Sequence, residues 1–166
     1  MSLATPSSRP TRNETCMGVA QLIRLRGTCS RMQVGVAIAR EGRILSTGYN
    51  SAPAGMDHCN HDCTCDVSSS LMGLGIHADW CPANPDRVCE VTIHAEINAI
   101  CWAARHGISL MGADLFTTYL FCLNCAKAVI NAGIVCVYYA EEYHDKRGME
   151  LVVEAGLSLI DLPYEL

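Results

Sequence analysis

From Thr92 onward a helical segment, a glycine and a short apolar strand follow one another three times, without an internal sequence repeat. Thr92 to His106 is followed by Gly107 and then Asp114 to Tyr119. Cys122 to Ala132 is followed by Gly133 and Ile134 to Tyr139. Asp145 to Ala155 is followed by Gly156 and Leu157 to Leu162. Segments alternating in this way build strand–helix–strand units around one sheet, because each helix has an apolar stripe to bury. Upstream, the apolar positions between Arg12 and Gly27 suit a helix. Val34 to Ala39 and Arg43 to Tyr49 suit two strands, with Glu41-Gly42 as the hairpin turn between them. The predicted order is αββαβαβαβ. That is an α/β fold, a three-layer α/β/α sandwich on a five-stranded mixed sheet.

Residues 51–91 break the pattern. They are rich in Gly, Pro, Asp, Ser, Cys and His and show little periodicity. A structureless loop of this length is uncommon in a compact domain unless something ties it down, and its Cys and His content points to metal. Residues 1–11, with Ser, Thr, Pro and Arg in no regular order, read as a flexible tail. The expected organisation is therefore that tail followed by a single domain, 12–166, carrying a metal-binding insert at 51–91.

Half of the 166 residues are apolar, enough for one buried core. The formal net charge of -5 argues against a nucleic-acid binder, which shows a basic face. A small anionic ligand needs only a local basic pocket. Eleven cysteines would suggest disulfides in a secreted protein, but the count is odd. Met1 to Asn13 has no apolar signal core, and no apolar run reaches transmembrane length. The expectation is a cytoplasmic protein, with no membrane partner, whose thiols bind metal or pack as small hydrophobes. Cys16, Cys101 and Cys136 fall on helix or strand patterns and are assigned to the core.

Two short motifs carry the chemistry. His94-Ala95-Glu96 and Cys122-Leu123-Asn124-Cys125 each stand where a strand or loop hands over to a helix. Unpaired N–H groups at a helix start favour anions such as thiolates. One His and two Cys supply three ligands to a tetrahedral zinc and leave the fourth position for water. Glu96 sits two residues beyond His94, beside that position rather than on the metal, where a carboxylate can carry protons. The combination matches the H-x-E and P-C-x-x-C signature of zinc-dependent base deaminases. One departure is Phe121, which stands where that signature has proline; proline fixes the entry into a helix and phenylalanine does not.

With these motifs the chain resembles the deoxycytidylate (dCMP) deaminase family, which has the cytidine deaminase-like fold. The resemblance runs from about Arg9 to Leu162 and includes Gly48-Tyr49-Asn50, Pro53-Ala54-Gly55, His94 to Ile100 and Cys122 to Lys127. It implies hydrolytic conversion of dCMP to dUMP, with release of ammonia and Glu96 protonating the ring nitrogen and then the amine. It implies that the backbone around Ala95 holds the pyrimidine carbonyl and that Asn50 contacts the sugar, although an Asn after a strand is often a turn residue. Phosphate needs cations or donors, and the candidates are Arg31, Arg105 and Tyr143. Arg105 would equally complement its helix dipole, and Arg31 would equally be solvated surface.

The resemblance also implies a second, structural zinc. Cys29, Cys59 and Cys89 match its ligands by position, with the fourth left open among Cys63, Cys65, Cys81 and His77; unligated thiols are the alternative. It further implies a homo-hexamer, activated by dCTP and inhibited by dTTP (with Mg), that supplies dUMP for dTMP synthesis. Two alternatives stand beside this reading. One is a deaminase of cytidine, deoxycytidine or a 5-substituted dCMP. The other is a non-catalytic zinc-binding interaction domain, against which Glu96 argues.

Overall fold

The computed structural model describes residues 9–29, 32–58 and 92–164. The first helix, α1 (Arg12–Arg24), starts at a capping box: the Thr11 hydroxyl accepts from the Glu14 N–H, and the Glu14 carboxylate accepts from the Thr11 N–H. That satisfies two N–H groups that the helix itself cannot. Strands β1 (Gly35–Arg40) and β2 (Arg43–Tyr49) form the expected hairpin. Glu41 and Gly42 both take left-handed φ, 54° and 76°, the geometry that matches the twist of paired strands.

The remaining elements are α2 (Ala95–Arg105), β3 (Asp114–Tyr119), α3 (Leu123–Asn131), β4 (Cys136–Glu141), α4 (Arg147–Glu154) and β5 (Ser158–Asp161). The observed order is the predicted one. The sheet runs β2-β1-β3-β4-β5, with β1 antiparallel to both neighbours and β3, β4 and β5 parallel. The C-terminal ends of β2, β3 and β4 therefore share one edge of the sheet.

Alternate strand residues face opposite layers. Ala37, Ala39 and Phe116 pack beneath α1 with Cys16, Met17 and Ala20. Val36, Ile38, Leu115 and Val137 turn the other way, under Ala95 and Ala99 of α2, Val129 of α3 and Val152 of α4. Phe116 and Tyr138, paired across β3 and β4, stack with ring centroids 4.6 Å apart. Two independent apolar layers on one sheet make the three-layer sandwich.

Cys16 and Cys136 are in the core, as expected, but Cys101 is exposed. The buried positions of α2 are Ala95, Glu96, Ala99 and Ala103, a stripe at helical spacing. Cys101 follows Ala99 by two residues and so lies on the far side of the helix. Gly48 shows how closely α2 sits on β2: a Cβ there would run into the Ala95 carbonyl and lie 2.6 Å from the Ala99 nitrogen. Beneath the same helix the Ser46 hydroxyl donates to the Ala99 carbonyl at 2.7 Å.

The two ends of the insert meet. Ser51 and Ile93 form an isolated bridge, exchanging N–H···O bonds of 3.2 and 2.8 Å.

Candidate active site

His94 is the N-cap of α2 and Cys122 the N-cap of α3, both with extended backbone and neither making a side-chain cap bond. Their side chains turn toward each other instead of back onto their helices. His94 Nδ1 lies 3.6 Å from the Cys122 Sγ and 3.4 Å from the Cys125 Sγ. Among the described residues these three form a group whose ligand atoms all fall within 4.8 Å of one another. A tetrahedral zinc, with Zn–S about 2.3 Å and Zn–N about 2.0 Å, holds N and S about 3.5 Å apart. The donor set and its spacing fit that ion. The positive ends of two helix dipoles converge on the same point and favour thiolate there.

The thiols are unequal. Cys122 is pulled down to about 3, first by the hydrogen bond from Cys125 and then by His94. Cys125 is pushed up, first by that same bond to Cys122 and then by burial. Glu96 lies beside them, 3% exposed. Burial pushes its carboxyl above the usual range; its own backbone N–H, the His94 charge and the Cys125 thiol act against that rise. A buried carboxyl shifted upward is what proton transfer near neutral pH requires.

The other candidates divide. Ala95 is fully buried at the start of α2, beside the triad. Asn50 is buried at the end of β2, but its amide is engaged with the backbone: Oδ1 accepts from the Val34 N–H at 2.8 Å, and Nδ2 donates to the Met32 carbonyl at 2.7 Å. Tyr143, between β4 and α4, is half-buried against the apolar layer that holds Phe121. The structure does not bring Arg105 to the triad. It is exposed at the last residue of α2, about 15 Å along the helix from Ala95. Cys29 is buried. Arg31, Cys59, Cys63, Cys65, His77, Cys81 and Cys89 lie outside the described residues.

Two contributors escape a reading of the sequence. Asn98 donates to the Tyr49 carbonyl and anchors α2 to the end of β2. Gly148, in the first turn of α4, lies against the Phe121–Cys122 peptide. An isolated glycine inside a helical pattern was the one visible signal for the second.

A mixed sheet with a His–Cys–Cys half-site and a buried Glu at two converging helix starts defines a zinc-dependent deaminase. The comparisons agree. The family model for the cytidine and deoxycytidylate deaminase zinc-binding region matches residues 10–141, and the chain belongs to this family of hydrolytic deaminases. It is 36% identical to ComE operon protein 2 of Bacillus subtilis (strain 168), across 89% of this chain and 69% of that protein. It is 31% identical to deoxycytidylate deaminase of Enterobacteria phage T2, across 90% and 91%. The crystal structure of dCMP deaminase from the cyanophage S-TIM5, in complex with dCMP and dUMP, superposes with a TM-score of 0.73. It is 28% identical, over 93% of this chain and 98% of that one. No helix among the described residues is long and apolar enough to cross a membrane.

Proposed function

We propose that the chain converts dCMP to dUMP by hydrolysis, with zinc on His94, Cys122 and Cys125 and Glu96 as the proton carrier. The observation that carries this is the meeting of one imidazole nitrogen and two sulfurs at zinc spacing beside a buried carboxyl. The choice of dCMP draws on relatives named deoxycytidylate deaminase and on the dCMP and dUMP complex of the cyanophage enzyme.

Zinc held by the triad would act as a Lewis acid and lower the pKa of a water in its open position toward neutrality. Glu96 would take one proton from the attacking water as its oxygen bonds to carbon-4, and give it to the adjacent ring nitrogen. It would then take the remaining proton from the new hydroxyl on carbon-4 and pass it to the amine, which leaves as ammonia as the C–N bond breaks and the carbonyl forms. The N–H groups at the start of α2, around Ala95, receive the pyrimidine carbonyl. Asn50 contacts the sugar while holding residues 32–34 in place. Arg31, Arg105 and Tyr143 are the proposed phosphate contacts, Arg105 from the exposed end of α2.

Family resemblance extends the proposal. A structural zinc is held by Cys29, Cys59, Cys89 and one of Cys63, Cys65, Cys81 or His77. The assembly is a hexamer that dCTP activates and dTTP inhibits, and its dUMP feeds dTMP synthesis.

The test follows the loss of cytosine absorbance with dCMP, deoxycytidine and CMP, each with and without dCTP. Turnover of dCMP alone, lost in Glu96→Ala, is the expected result. Turnover of deoxycytidine but not dCMP would remove the phosphate contacts from the proposal. Zinc binding with no turnover of any substrate would favour an interaction domain. Metal analysis of wild type tests the second zinc: two ions per chain support it, and one removes it.

A further inference from the structure

Glycine inside a helix is less favourable than alanine, so its place in the first turn of α4 calls for a reason. The reason is contact. A Cβ on Gly148 would press into the Phe121 carbonyl oxygen and stand 3.0 and 3.1 Å from the Cys122 carbonyl carbon and oxygen. Those atoms belong to the two peptide groups that flank Cys122 and deliver it to the start of α3. Phe121 has no pyrrolidine ring to fix the backbone there, as a proline would. The Phe121 side chain is instead 3% exposed, seated in the core cluster that also includes Val152 of α4. The turn of α4 over this peptide is itself held. The Asp145 carboxylate accepts from the Arg147 N–H at 3.1 Å and takes the Arg147 guanidinium in a fork, at 2.9 and 2.7 Å.

We propose that Gly148 is a positioning residue for the metal centre: its bare Cα lets α4 close on the Phe121–Cys122 peptide, and that contact sets the direction of the Cys122 sulfur. This rests on the reading that the triad holds zinc. Phe121 and Gly148 together replace a covalent restraint with a packed one. Residues that orient a metal ligand without touching the metal typically govern affinity by about 10–100-fold.

The test compares wild type, Gly148→Ala and Asp145→Ala by chelator competition for zinc, by the visible d–d absorption of Co(II)-loaded protein, and by melting of the metal-free forms. Gly148→Ala is expected to weaken zinc by about tenfold or more and to alter the Co(II) band. Asp145→Ala, which adds no atoms and only loosens the turn, is expected to weaken zinc by a smaller factor with the metal-free fold intact. Wild-type zinc affinity and an unchanged Co(II) spectrum in Gly148→Ala overturn the proposal. Should that variant not fold, an unchanged Asp145→Ala protein overturns it. Wild type that takes up no metal at His94, Cys122 and Cys125 overturns both this inference and the reading beneath it.

Discussion

The Asn98 side chain donates to the Tyr49 carbonyl at 2.8 Å, joining the first turns of α2 to the last residue of β2. This bond and the close seat of α2 on Gly48 fix where the helix begins, and so where His94 and Glu96 stand. Asn98→Ala should cost about 1 kcal/mol of stability, the net worth of one such bond. Asn98→Asp keeps the shape but cannot donate when ionised, and should cost at least as much. Urea denaturation measures both. Two variants indistinguishable from wild type would mean that packing alone sets the helix start.

Glu96→Gln separates chemistry from metal binding. Glutamine fills the same buried space and cannot accept and return a proton. kcat should fall by about 10²–10⁴-fold while zinc content stays at the wild-type level. Because burial disfavours the Glu96 carboxylate, the neutral amide should leave the metal-free protein at least as resistant to heat. Retained turnover in Glu96→Gln would assign the proton to another group.

Removal of zinc should abolish activity and lower stability, and returning zinc should restore both. Zinc at about 100 times its Kd would add about 2.7 kcal/mol to the native state if it binds that state alone. Cys125→Ser should lose the share of this stabilisation that comes from the His94–Cys122–Cys125 site and keep only that of the proposed structural zinc, whereas Cys101→Ser, exposed on the opposite side of α2, should keep both. A thermal shift on adding zinc to the chelator-treated proteins distinguishes them. Equal shifts in both variants would rule out Cys125 as a ligand.

What the residues disclosed on their own was whatever lies close in sequence. The helix–glycine–strand units, the Glu41-Gly42 turn and the placing of His94 and Cys122 at helix starts are local properties, and all appear in the fold. What stayed hidden depends on helix phase or on distant contacts. Cys101 looked like a core residue until Ala95, Ala99 and Ala103 set the buried stripe of α2. The hold of Gly148 on Phe121 joins residues 27 positions apart that no motif links (148 minus 121).

Asp114, the first residue of β3, offers a pH signature away from the metal. Burial raises its carboxyl above the usual range, and its charge in turn helps to raise the Cys16 and Cys136 thiols, which burial already pushes up. Between the unfolded pKa, about 3.9, and the raised folded value, the native state binds more protons than the unfolded state. Its contribution is thus full below about pH 4 and is lost as pH rises through the folded pKa. Asp114→Asn copies the protonated form and escapes that loss. Urea midpoints of metal-free protein should therefore favour Asp114→Asn at pH 7, with the gap closing as pH falls below about 4. Metal-free samples keep zinc release at low pH out of the comparison. A gap that is constant across the range would show that the substitution acts through packing, and that Asp114 ionises alike in the folded and unfolded chain.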